Sequence, residues 1–214
     1  MTYTAVLPVT NSVFHGVSWE DYVRTLDELF GAGLHAHVTF DNGEMEIKTT
    51  GDIHERLKTA IGRLIETYAL EADIPITGLG EATCRREDLL KGLDPDECYY
   101  VNTPLPPAQK GSAPLDLMTY PPPDLAIEID MSKSSIPKQP IYAALGVAEV
   151  WRYSDERLRL LVLTTSGEYE EQDLSVGFPS LSVVEMNRFL QVAMTQSSHA
   201  AAKAIRDWVR AGSV

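Results

Sequence analysis

The chain is short of cysteine, short of basic residues and without a long apolar run, and each shortage removes a class of function. Its two cysteines, Cys84 and Cys98, are too far apart for a CxxC pair and have no histidine cluster near them in sequence. Neither a zinc finger nor a redox motif is indicated, and both read as ordinary thiols. Lys and Arg number 18 against 31 Asp and Glu, a formal net charge of −13. General polyanion binding comes from neutralising phosphates with Lys and Arg, so this balance argues against it and leaves only local basic patches as a route to nucleic acid. The best such patch is Arg85-Arg86 with Lys91 nearby, and it reads equally well as a solvated surface cluster. No run of about eighteen apolar residues exists to span a bilayer. Met1 to Val9 has neither the basic start nor the apolar middle of a secretion signal, so the cytoplasm is the expected compartment and no membrane partner is expected. Internal repeats are absent as well.

What is present is enough apolar material for a real core, 44% of 214 residues. The expected organisation is one domain over 1–196 with a helical C-terminal extension over 197–214. Met1 to Phe14 offers no strong element. Ser18 is an N-cap candidate ahead of Trp19, Tyr22, Val23, Leu26, Leu29 and Phe30 at helical spacing. His35 to Phe40 and Glu44 to Lys48 alternate around the turn residues Asp41-Asn42-Gly43, a hairpin pattern. A second long helix follows from Gly51 through Tyr68, with His54 in its first turn. Pro75 to Leu79 reads as a strand that Glu81 to Arg86 continues or pairs with. Cys98 to Val101 is another strand, so Asp96 stands at a strand's beginning. Thr103 to Leu117 reads as a loop. Arg157 to Thr164 and Glu168 to Gln172 make a hairpin or meander, and helices follow over Val183 to Ala193 and within Ser197 to Val214.

Chemistry concentrates between Pro121 and Trp151. Leu125, Ile127 and Ile129 alternate with Asp124, Ala126, Glu128 and Asp130, so a strand here has one apolar face and one face with three carboxylates. Acids two apart on a strand are only about 7 Å from one another, and a divalent cation would relieve their repulsion. Gln139 to Leu145 has helical spacing and stops at Gly146, and Val147 to Tyr153 resumes an extended pattern. Strand, short helix and strand within about thirty residues make a crossover unit. Lys138, just ahead of the helix, can lean back over the acidic face. Pro95-Asp96 adds a further acid at a strand start, and oxygen ligands of this kind suit Mg²⁺ or Mn²⁺.

GLDPDECYYV, PPPDLAIEID and IYAALGVAEVWRY, with GEMEI before His54 and ITGLGEATCRR, resemble the restriction-endonuclease-like family labelled Uma-two, of the PD-(D/E)XK nuclease superfamily. The resemblance runs from about Trp19 to Leu190. It implies an α/β, restriction-endonuclease-like fold, a central mixed β-sheet flanked by helices, and a Mg²⁺-dependent (or Mn²⁺-dependent) endonuclease acting on nucleic acid, DNA by expectation. Carried over by position, Asp96 and Glu128, 32 positions apart, are the acids that hold the metal. Asp130 stands where the motif wants its lysine, so the catalytic lysine falls to Lys138, with Lys133 the weaker substitute. Glu46, His54, Asp124 and Asp130 are the possible neighbours of the site. A homodimer is expected, because cutting two strands takes two sites and a two-fold dimer supplies them. The competing reading is a non-catalytic partner-binding or assembly module on the same fold, suggested by the missing motif lysine and the acidic composition.

Overall fold

The computed structural model describes residues 11–104 and 114–212. Most of the Met1 to Phe14 stretch and the middle of the Thr103 to Leu117 loop lie outside the described residues. The order of elements is β1 (Asn11–His15), α1 (Trp19–Gly31), β2 (His37–Asp41), β3 (Glu44–Lys48), α2 (Asp52–Glu71), β4 (Ile76–Gly80), β5 (Cys84–Arg86), a short turn of 3-10 helix (Glu87–Leu89), β6 (Lys91–Leu93), β7 (Glu97–Val101) and β8 (Leu115–Asp116). The second half runs β9 (Leu125–Ile129), α3 (Lys138–Leu145), β10 (Glu149–Ser154), β11 (Arg157–Leu163), β12 (Tyr169–Gln172), α4 (Val183–Thr195) and α5 (Ser198–Arg210).

Local chemistry accounts for most boundaries. The Ser18 side chain accepts from the Asp21 N–H at 3.1 Å and opens α1. Asn42 and Gly43 take φ of 48° and 89°, which a two-residue hairpin turn between β2 and β3 requires. Pro140 sits within the first turn of α3, where its missing N–H costs nothing, and Gly146 ends the helix at φ 81°.

The central sheet has the order β12-β11-β10-β9-β7-β4. It is mixed, because β9 and β10 are parallel around the α3 crossover while its other pairings are antiparallel. Leu125, Ile127 and Ile129 point to one face, into a core built with α2, α4 and α5. Ala126 points to the other, under Ile141, Tyr142 and Leu145 of α3 and against Cys84 and Leu93. In α5, Ala201, Ile205 and Val209 belong to the first core, and Trp208 lies against Tyr68 and Phe189.

A second six-stranded sheet, β1-β3-β2-β6-β5-β8, was not foreseen. It assigns a partner to β1, paired with β3, in a stretch expected to hold no strong element. It also corrects the pairing expected of Glu81 to Arg86: β5 joins β6 and β8 in this sheet, whereas β4 pairs with β7 in the central one. Glycines at 78 and 80, with a register shift between them, mark the end of β4, and Gly80 at φ 64° turns the chain away from the central sheet. The Arg86 guanidinium is held by Asp88, and Lys91 by Asp41, so two of the three charges of the expected basic patch are partnered. No helix among the described residues is long and apolar enough to cross a membrane.

Candidate metal and acid site

Leu93-Asp94-Pro95-Asp96 spans the gap between the two sheets and is clamped to both. Asp94 Oδ2 accepts the Val38 N–H of β2 at 2.7 Å, and the Asp94 N–H donates to Val38 O at 3.2 Å. On the other side the Asp96 N–H donates to Ile127 O at 3.1 Å, and Asp96 Oδ2 accepts the Ile129 N–H at 2.6 Å. The second bond fixes the Asp96 carboxylate at the end of β9, one residue from Glu128. With Oδ2 so used, Oδ1 is the oxygen left to face the cleft.

Two imidazoles meet that oxygen. His54 continues the buried stripe of α2 (Leu57, Ile61, Leu64, Tyr68) by one turn, and its Nε2 is 3.0 Å from Asp96 Oδ1. His37, the first residue of β2, brings its Nε2 to 3.4 Å from the same atom. The other His54 nitrogen, Nδ1, is 3.2 Å from Glu55 Oε1. Burial alone would lower the His54 pKa, but the hydrogen bond and charge of Asp96, with Glu55 adding, raise it above the ordinary value. Asp96 moves the opposite way: burial works to raise its pKa, yet His54, His37 and Lys138 hold it below the usual carboxylate value.

Glu128 lies on the α3 side of β9, 3% exposed. Lys138, the first residue of α3, donates from Nζ to Glu128 Oε2 at 2.6 Å, and the Tyr142 hydroxyl, one turn on, donates to Oε1. Lys138 and Tyr142 are four apart and therefore share a helix face. Burial, with the nearby Asp96 charge, pushes the Glu128 pKa up to about 7 against the pull of Lys138. Burial disfavours the charged form of Lys138, but Glu128 and Asp96 outweigh it and drive its pKa up. It is an ammonium throughout the physiological range.

The remaining candidates separate. Glu46 lines the same small cavity as Asp96, His37 and His54. It accepts from Asn11 Nδ2 at 2.7 Å, from the Ser134 hydroxyl and from the Ser135 N–H at 2.8 Å, and so ties the β9 to α3 connection to β1 and β3. Desolvation opposes its ionisation, but those three donors keep its pKa below normal. Asp130, at the motif-lysine position, accepts from Arg152 Nε at 2.6 Å. It borders a neighbouring cleft of about 170 Å³ with Glu128, Lys133, Lys138 and Arg152. Asp124 is not brought to the site. It sits four residues upstream at the far end of the strand, where its Oδ2 accepts the Val101 N–H at 2.8 Å.

Sequence reasoning missed His37, Tyr142 and Arg152. Tyr142 was signalled by its four-residue spacing from Lys138. Arg152 is the direct register partner of Glu128 across the parallel β9/β10 pair, and a crossover reading with a register could have found it. His37 had no local signal, because what it meets comes from α2 and from the loop before β7.

Among the described residues, His37, His54 and Asp96 form a buried group able to hold a metal ion, their ligand atoms all within 4.8 Å of one another. The model of a family described as Uma2, "Putative restriction endonuclease", matches residues 19–195. Among solved structures, the chain is similar to the crystal structure of "a putative nuclease belonging to DUF820" from Anabaena variabilis ATCC 29413. The identity is 18% and the TM-score 0.51, with 72% of this chain and 90% of that chain covered, a likeness of fold. No curated protein matches the chain.

Proposed function

We propose, from the premise that the chain belongs to the Uma2 family of that description, that it is a metal-dependent endonuclease hydrolysing phosphodiester bonds of nucleic acid, with DNA the expected substrate. The observation that carries this reading is the convergence of Asp96, Glu128 and Lys138 from three separate segments at the end of β9. The residues fit a divalent cation, since Asp96 Oδ1 faces the cleft among other buried ligand atoms. Asp96 would hold the ion and Glu128 would stand beside it. When bound, such an ion polarises a phosphate oxygen and lowers the pKa of its water.

The side chains have distinct tasks in this scheme. Lys138 keeps its proton, so it does not act as a base. Its fixed charge steadies negative charge on the phosphate and holds Glu128 in place. Glu128, with a pKa near neutrality, is suited to take the proton of the attacking water. Arg152 neutralises Asp130, leaving less repulsion for an approaching phosphate. In this scheme Lys138, held at Glu128, would take the role that Asp130 leaves open, which favours the catalytic reading over the non-catalytic alternative.

The test is an assay on single- and double-stranded DNA and on RNA, with Mg²⁺, with Mn²⁺ and with excess chelator. Cleavage is expected only with an ion. Loss of a general acid–base group typically costs 10²- to 10⁴-fold, so Glu128→Gln should lose at least about a hundredfold. Wild-type rates in Glu128→Gln, verified as folded by circular dichroism, would remove Glu128 from the mechanism.

A further inference from the structure

The ligand set differs from the oxygen-only pair expected of Asp96 and Glu128. Both Glu128 oxygens accept from protein donors, Lys138 and Tyr142, whereas Asp96 Oδ1 is approached by two imidazole nitrogens. We infer that His37 Nε2, His54 Nε2 and Asp96 Oδ1 together form a three-ligand site for a borderline transition ion of the Mn²⁺, Co²⁺ or Zn²⁺ class, selected over Mg²⁺. The inference rests on the proposed nuclease reading in one respect, that the ion is the one that site uses.

Three features of the geometry support it. Ligands about 2.1 Å from a common ion, at tetrahedral or octahedral angles, lie roughly 3.0–3.4 Å apart. The two nitrogen-to-oxygen separations here are 3.0 Å and 3.4 Å. The longer one exceeds an ordinary N–H···O bond of about 2.9–3.0 Å. Second, Glu55 at His54 Nδ1 matches the carboxylate–histidine–metal arrangement, in which the outer acid accepts the Nδ1–H hydrogen bond and the Nε2 lone pair is turned to the ion. Third, His37 is 8% exposed and its buried Nδ1 has no hydrogen-bond partner. This costly side chain is therefore held at Asp96 without the compensation that a structural histidine ordinarily has. Imidazole suits Zn²⁺ and its neighbours in the first transition row, whereas Mg²⁺ favours oxygen and water.

Calorimetry on the chelator-stripped full chain with Zn²⁺, Mn²⁺, Co²⁺ and Mg²⁺ separately tests the assignment, with the visible absorption of the Co²⁺ form as a second readout. At least one transition ion should bind tenfold or more tighter than Mg²⁺, and Co²⁺ should show d–d bands that shift in His37→Gln and in His54→Gln. Each of those variants should lose at least about tenfold in transition-ion affinity, the lower range for disturbed metal sites. Glu128→Gln should keep affinity within a few-fold. Should either histidine variant fail to fold, Glu55→Gln, at an exposed position on the outside of α2, is expected to weaken binding and move the Co²⁺ bands by itself. Mg²⁺ binding as tight as the transition ions, or Co²⁺ bands unmoved in the folded variants, would overturn the inference. The two readings fail separately. Selective ion binding without cleavage of any nucleic acid would sink the nuclease reading alone, and Mg²⁺-supported cleavage indifferent to both histidines would sink the ligand assignment alone.

Discussion

Lys138 and Lys133 border the same cleft, but only Lys138 reaches Glu128. Lys138→Met should therefore reduce cleavage at least a hundredfold, the order expected for loss of a preorganised charge, while Lys133→Met stays within a few-fold. Single-turnover assays of the two variants decide this, and a large loss with Lys133→Met alone would move the lysine role to that residue. His54 gives a second residue-scale expectation. Its folded-state pKa is raised above the unfolded value of about 6.5, so its protonation stabilises the fold fully below about pH 6.5 and that contribution fades as pH rises through the higher folded value. In chelator, the stability advantage of wild type over His54→Gln should grow as pH is lowered from 9 to 6. Urea melts across that range measure it, and an advantage that shrinks toward low pH would contradict the assigned shift. At this scale the family resemblance led to the expectation that Asp96 and Glu128 share a site, and the strand-helix order put Lys138 within reach of the acidic face; the three side chains do meet at the end of β9. His37 was hidden, since nothing within β2 distinguishes a strand-start histidine facing solvent from one facing an acid 59 positions away in sequence.

Among elements, β6 is the short link on which the site hangs, because it pairs with β2 and runs directly into Asp94-Pro95-Asp96. Tyr22 of α1 lies against it so closely that a Cβ at Gly92 would sit 2.2 Å from the Tyr22 Oη and 2.8 Å from Cζ. Gly92→Ala should destabilise the protein by about 1–3 kcal/mol, the usual cost of overpacking, and also slow cleavage by shifting His37 and Asp96. Tyr22→Phe, which removes a buried hydroxyl without a partner, should cost little and partly restore Gly92→Ala. Denaturant melts of the two single variants and the double variant check this, and a Gly92→Ala protein as stable as wild type would mean α1 can retreat freely. The long helices, the β2/β3 hairpin and the β9-α3-β10 crossover were legible because period and turn chemistry specify them locally. The second sheet was not, because β1 buries none of its residues, while β5, β6 and β8 are three residues or fewer and are defined by their partners. Too short to show a period, such strands carry no signal of the sheet they join.

For the whole molecule, the net charge of −13 sets the conditions under which a nucleic acid can approach. Few phosphates can be neutralised by the protein itself, so binding in chelator should be weak and the bound ion should carry much of the affinity. We expect a homodimer for double-strand cleavage, to be checked by light scattering at micromolar concentration; a monomer that still cuts both strands would dispose of that expectation. The most direct test of the central claim is single-turnover cleavage by wild type and Asp96→Asn, each with its preferred divalent ion and with excess chelator. Wild type should cut only with the ion, and Asp96→Asn, shown to be folded, should lose at least about a hundredfold under the same conditions. Cleavage that persists in chelator, or an Asp96→Asn protein as active as wild type, would contradict the account.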